Sequence, residues 1–300
     1  MKNPAEKSDS DALIRARATL GDFELIVLSD GLYLLDGGAM FGVVPKPLWE
    51  KRAPADAQNR IALGTNTVVV RTGQHTVVIE TGIGNKLPEK QKAIFAVKEQ
   101  LPRAFAAAGI SLDDVDIVIN THLHFDHCGW NTTLAAGGKI VPTFPNARYF
   151  VHRGEVEHGR LQLERDGVSY LSDNYDPLVE NGQMALLDGG AGFVTEIVTG
   201  ISAEVYPGHT AQMLAVNIDS QGRRACYISD LIPTSAHLDL TWVMGYDLDP
   251  LTSIEQRKRF YARAIPEQWL VLFTHDPGVP MGYVGLNEKG KPVVKTGSRE

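Results

Sequence analysis

Within Asn120-Thr121-His122-Leu123-His124-Phe125-Asp126-His127-Cys128-Gly129, three histidines and an aspartate fall inside six positions. Imidazole nitrogen and carboxylate oxygen are the donors that suit zinc and other borderline divalent metals. Taking several of them out of water together is costly unless a cation compensates. One histidine alone would more often be a packing residue, so the grouping is what points to a metal. In an extended or looping backbone His122 and His124 point the same way, and Asp126 and His127 turn toward a second position. Three more donors each follow an apolar run: His209 after ISAEVY and Pro207-Gly208, Asp230 after CYIS, and His275 after WLVLFT. Strand ends gather on one rim of a sheet, so groups remote in sequence can converge there. The set suffices for two tetrahedral or five-coordinate sites that share one carboxylate. Two divalent cations about 3.5 to 4 Å apart make a shared water acidic enough to supply a metal-bridging hydroxide at neutral pH. Hydrolysis is the expected reaction, with Asp126 exchanging a proton with the leaving group.

The elements that must position these donors are legible in outline. DFELIVLSDGLYLLDGG reads as two apolar runs broken at Ser29-Asp30-Gly31, a turn signal that favours a hairpin. A second hairpin is expected from Val68 to Glu80, across Thr72-Gly73-Gln74. Residues 89–109 carry apolar side chains at helical spacing, with a break or a second helix start at Pro102. VDIVIN at 115–120 and ARYFVH at 147–152 read as strands, SIEQRKRFYARAI at 253–265 as an amphipathic helix, and WLVLFTH at 269–275 as a buried strand. Two sheets covered on their outer faces by helices suit this order. Residues 1–20, polar and mixed in charge, are expected to form a leader, with structure proper from Asp22 and a single domain over 21–300.

Composition narrows the function classes. The 300 residues carry 29 Lys+Arg against 36 Asp+Glu, a net charge of −7, which disfavours a nucleic-acid partner bound through phosphate neutralisation. No apolar run approaches a signal peptide or a membrane span, so a cytoplasmic enzyme with a small-molecule substrate and no membrane partner is expected. Two cysteines, Cys128 and Cys226, give no disulfide framework.

The His-x-His-x-Asp-His pattern of His122, His124, Asp126 and His127, followed in order by His209, Asp230 and His275, resembles the metallo-β-lactamase superfamily over residues 22–285. The resemblance implies an α/β protein, the αββα four-layer sandwich, with two divalent metal ions at one edge. Zinc is the first choice, with iron, manganese or cobalt as alternatives. It implies that His122, His124 and His209 hold one metal, that Asp126, His127 and His275 hold the other, and that Asp230 bridges them. Glu80-Thr81-Gly82 stands where the family has Asp-Thr-Gly, one methylene longer, and Glu80 would orient ligands by hydrogen bonds.

THLHFDHCGW and SDLIPTSAHL look most like the branch of quorum-quenching lactonases and methyl-parathion hydrolases. The tyrosine that such lactonases carry three residues after the bridging aspartate is Pro233 here, with His237 or Tyr246 as substitutes. Trp242, Met244 and Tyr246 would form an apolar wall beside Asp230, suited to an aryl ester, a lactone or a phosphotriester. Rival readings are a glyoxalase II-like thioesterase, a mononuclear iron persulfide dioxygenase and a non-catalytic binding scaffold. Cys128 beside filled metal positions is expected to be an inert buried thiol. A homodimer would be compatible with the apolar early hairpins.

Overall fold

Apolar runs too continuous for a half-exposed strand become strands buried on both faces. The computed structural model describes residues 13–295. Its strands are β1 (Ile14–Leu20), β2 (Phe23–Asp36), β3 (Arg60–Arg71), β4 (Thr76–Ile79), β5 (Ile117–Ile119), β6 (Thr132–Leu134), β7 (Ile140–Pro142), β8 (Arg148–His152), β9 (Met184–Leu187), β10 (Val194–Val198), β11 (Ile201–Val205), β12 (Leu214–Ser220), β13 (Arg223–Tyr227), β14 (Leu270–Leu272), β15 (Met281–Leu286) and β16 (Pro292–Lys295). One sheet has the order β1-β2-β3-β4-β5-β8-β9 and the other runs β10 through β16 in sequence, with β6 and β7 forming a small separate pair.

Alternation along each strand builds three apolar layers. Leu25, Val27, Val77, Ile79, Ile117 and Ile119 of the first sheet meet Val216, Ile218, Tyr227, Leu270 and Leu272 of the second in the central core. Ile26, Leu28, Val78 and Val118 face the other way, against Leu101, Ala104 and Phe105 of the helix Leu101–Ala107. On the far side, Cys226 and Val271 pack on Phe260, Tyr261 and Ala264 of the helix Pro250–Ala264. These contacts form the expected αββα sandwich of an α/β protein. Among the described residues no helix is long and apolar enough to cross a membrane.

The topology puts chemistry at one edge. β4 and β5 pair in parallel, as do β13 and β14, so within each pair the C-terminal ends lie side by side. Glu80, His122, Asp230 and His275 each follow one of those ends. The two sheets are also tied together there: Gly64 N donates to His275 O at 2.9 Å, Asn66 N to Thr274 O at 2.9 Å, and Leu214 N to Thr121 O at 2.8 Å.

Two expectations are corrected. The Ser29-Asp30-Gly31 signal makes no hairpin; β2 runs through it, with a register shift between Ser29 and Leu32 against β3. Gly31 takes φ 112°, so the turn-forming residues are used for a bulge. Ordered structure also starts earlier than Asp22. Residues 14–20, assigned to the leader by composition, form β1 and pair antiparallel with β2. The rest of that leader, residues 1–12, lies outside the described residues.

The bulge aims Asp30 into the outer layer. Its Oδ1 accepts from Gln100 N at 2.8 Å and Leu101 N at 2.6 Å, and its Oδ2 from Ile83 N and Trp130 Nε1, both at 2.9 Å. One buried carboxylate thus ties β2 to the helix Leu101–Ala107, to the loop after Glu80 and to the indole just beyond His127. Asp30→Ala, which strands these buried donors, is predicted to cost at least about 3 kcal/mol of stability. Urea unfolding should show a lower midpoint with an unchanged slope.

Candidate metal centre

The segment after β5 turns into the short helix Phe125–Cys128, whose preceding residue His124 is still extended. This switch separates the donors. His122 Nε2 lies 3.1 Å from His124 Nδ1, and His209 Nε2 lies 3.2 Å from the same atom. His275 Nε2 lies 3.1 Å from His127 Nε2, with Asp126 Oδ2 at 3.7 and 3.9 Å from those two nitrogens. Asp230 stands between the groups. Its Oδ2 is 3.4 Å from His209 Nε2 and 3.5 Å from His127 Nε2, and its Oδ1 is 3.2 Å from His275 Nε2. A tetrahedron with bonds of about 2.0–2.1 Å has edges of about 3.3–3.4 Å, and the separations here, 3.1 to 3.9 Å, bracket that value.

The chemistry of the donors agrees with that geometry. His275 Nδ1 donates to Gly64 O at 2.9 Å and His209 Nδ1 to Asp247 Oδ1 at 3.1 Å. Each Nδ1 thus carries a hydrogen toward its acceptor, and each Nε2 faces inward. His122 Nδ1 meets Thr121 Oγ1 at 3.0 Å, and that hydroxyl meets Ser229 Oγ at 2.7 Å. Burial holds His122 and His124 well below the usual imidazole range, so they stay neutral. Burial opposes charge on His127 as well, yet Asp230, Asp126 and Glu80 outweigh it and hold that ring well above its usual range. Asp230 is burdened by burial but held well below the carboxylate range by His275, His127 and His209. Asp230 Oδ1 has no hydrogen-bond partner among the described residues. A cluster of inward-facing imidazole nitrogens and buried carboxylates suits divalent cations, and the residues present fit them.

Glu80 lies against the cluster. Its Oε1 accepts from Thr121 N at 2.8 Å and lies 3.6 Å from His127 Nδ1. Glu80 and Ser229, each next to or within the donor set, hold left-handed backbone with φ of 62° and 53°. Such conformations are uncommon outside glycine. Gly129, just past the motif, admits no side chain, because a Cβ there would stand 1.9 Å from Ile83 O. Cys128 is fully buried, and its thiol donates to Leu123 O and His124 O.

The donors floor a cavity of about 240 Å³. His124, Asp126, His209, Asp230 and His275 line its base, and Leu35, Met40, Phe95, Phe125 and Met244 its walls, with Arg165 and Tyr246 also lining it. Phe95 and Phe125 stack at 5.5 Å. Met244 and Tyr246 line this cavity beside Asp230, whereas His237 and Trp242 are not among the lining residues. The His237 ring is fully buried, bonds Thr234 Oγ1 at 2.7 Å and Met40 O at 2.9 Å, and stacks on Phe41. Burial lowers it to about 3. Trp242 lies under the Arg52 guanidinium, 3.9 Å from the ring centroid. Both help hold the wall from behind. Pro233 is also structural, its carbonyl accepting from His275 N at 2.9 Å.

Several contributors escape sequence reasoning. Glu155, fully buried, accepts from Thr210 Oγ1 at 2.5 Å, Tyr170 OH at 3.2 Å and Leu123 N at 3.3 Å, joining the two segments that carry His122, His124 and His209. Arg257, also fully buried, donates to the carbonyls of Leu231, His237, Asp239 and Trp242 at 2.7–3.1 Å, fixing the loop between Asp230 and Met244. Tyr33 and Asp247 also escape it. The signal for Tyr33 is only that it shares a face with Leu35 by strand alternation; no motif marks the others.

Comparison with known proteins agrees with this geometry. Residues 60–284 match the metallo-beta-lactamase superfamily. A probable metal-dependent hydrolase from Staphylococcus aureus is 32% identical, with TM-score 0.83 over 94% of this chain and 100% of that one. AidC, a dizinc quorum-quenching lactonase in complex with a product, is 19% identical, with TM-score 0.77 over 96% and 100%. The hydrolase AbOPH is 18% identical, with TM-score 0.75 over 95% and 98%. By its fold, its donor cluster and this match over most of its length, the chain belongs to the metallo-beta-lactamase superfamily.

Proposed function

We propose that the protein is a dinuclear metal-dependent hydrolase of a small ester, lactone or phosphotriester. The observation that supports this best is the convergence of two donor groups on Asp230 at the floor of an apolar cavity. In this reading His122, His124 and His209 would hold one divalent cation and Asp126, His127 and His275 the other, with Asp230 shared between the two groups. Zinc suits so nitrogen-rich a set. Two such cations, when bound, supply hydroxide at neutral pH and polarise the substrate's carbonyl or phosphoryl oxygen.

The chain's own residues supply the rest. Asp126, with its side chain 12% exposed at the cavity floor, takes up a proton and returns it to the leaving oxygen. Gly64 O and Asp247 keep His275 and His209 in the tautomer that binds metal. Leu35, Met40, Phe95, Phe125 and Met244 take an alkyl or aryl group out of water, which orients the scissile bond over the floor. The hydrolase and lactonase descriptions of the similar proteins support the same reaction class.

The protein is predicted to carry about two metal equivalents and to turn over p-nitrophenyl acetate, a γ-lactone or paraoxon. His122→Ala and Asp230→Ala should lose metal and at least about 10³-fold in kcat/KM, since several kcal/mol of charge stabilisation disappear. Metal analysis with a substrate panel measures both. Full activity in a metal-poor Asp230→Ala protein would refute the mechanism, turnover of thioesters alone would favour the glyoxalase II-like reading, and iron with oxygen consumption the dioxygenase.

A chelator should also lower the thermal midpoint by roughly 5 °C or more, because ligand binding to the folded state is lost, and added zinc should restore it. An unchanged midpoint after verified metal removal would contradict that linkage.

A further inference from the structure

Asp126 takes its hydrogen bond from an element remote from its own. Among the described residues, one group donates a hydrogen bond to its carboxylate: the phenol of Tyr33, at 2.6 Å from Oδ2. His127 and His275 approach that oxygen only at 3.9 and 3.7 Å. Tyr33 comes from β2, beyond the bulge, and pairs across the ladder with Leu63. It is 1% exposed yet contributes to the cavity lining. Its ring meets His275 edge-on, with centroids 5.7 Å apart. His275 Nδ1 is 3.4 Å from the phenol, but its proton is engaged by Gly64 O at 2.9 Å, so Asp126 is the acceptor for the tyrosine hydroxyl. A hydroxyl-to-carboxylate bond of this length is of the short, charge-assisted kind.

We propose that Tyr33 is a positioning residue for the metal centre: its hydroxyl fixes the rotamer of Asp126 that turns Oδ2 toward His127 and His275. The proposal rests on the reading of Asp126 as a metal ligand. Asp126 sits on a four-residue helix and is free to rotate about two side-chain bonds. The phenol comes from a strand locked into the sheet, so the carboxylate inherits the rigidity of β2. Groups that orient a ligand without touching the metal commonly change metal affinity by about 10–100-fold.

The test is a double-mutant cycle read by metal affinity, with Zn²⁺ titrated against a chromophoric chelator and the visible spectrum of the Co²⁺-loaded protein as second readout. Tyr33→Phe keeps the ring and its contact with His275. It should weaken binding of one metal equivalent by about 10–100-fold and alter the Co²⁺ spectrum. Asp126→Ala should weaken the same equivalent further, and adding Tyr33→Phe to Asp126→Ala should change nothing more. If Asp126→Ala loses metal while Tyr33→Phe binds as the unaltered protein does, or if the two losses simply add, the positioning role is overturned and the metal assignment stands. If Asp126→Ala itself binds both equivalents normally, the ligand assignment fails and the role of Tyr33 fails with it.

Discussion

Carboxylates and imidazoles withdrawn from water at a single edge set the terms for the rest of this molecule. Glu80, Asp230, His122, His124, His127, His209 and His275 are all buried, and an ionised group in such surroundings is tolerated only where opposite charge or hydrogen bonds replace its hydration. The surrounding architecture supplies that replacement atom by atom. Thr121 N serves Glu80, Asp247 serves His209, and the Gly64 carbonyl serves His275. What these leave uncompensated is the inner surface of the cluster, where imidazole nitrogens converge around Asp230.

The sandwich is suited to this because each sheet contributes a parallel pair, and parallel strands end side by side. Local backbone then turns each donor inward. Some of those turns are strained, as the left-handed Glu80 and Ser229 show, and strain persists only where neighbours over-determine the conformation. Hydrogen bonds between the sheets at Gly64, Asn66 and Thr121 provide that constraint, as does Asp30 behind the first sheet. The centre is therefore a property of both sheets together.

How much of this is legible in the sequence depends on how local the determinant is. His122 through His127 lie in one segment, and their types alone raise the prospect of a metal. His209, Asp230 and His275 are legible because each closes an apolar run, and strand ends share a rim. The central strands were readable from β-branched runs, including the β3–β4 hairpin. The bulge at Ser29-Asp30-Gly31 was not, because the same residues serve a turn or a bulge and only the register with β3 decides. The residues at 14–20 have the polarity of an edge strand, which composition does not separate from a tail. The cavity wall was half legible. Met244 and Tyr246 reach it, but His237 and Trp242 turn away, since side-chain direction in a loop follows from distant partners such as Met40 O and Arg52 rather than from any period.

The burial of Arg257 has a consequence for how such a protein can diversify. Its guanidinium is dissolved in the carbonyl oxygens of residues 231–242, and those bonds come from the main chain, whatever side chains the segment carries. Part of the loop's path thus rests on bonds that do not depend on its sequence. Met244 and Tyr246, just past this segment, line the cavity, so new side chains could be tried there, and a new molecular shape accommodated, without disturbing Asp230 at the loop's root.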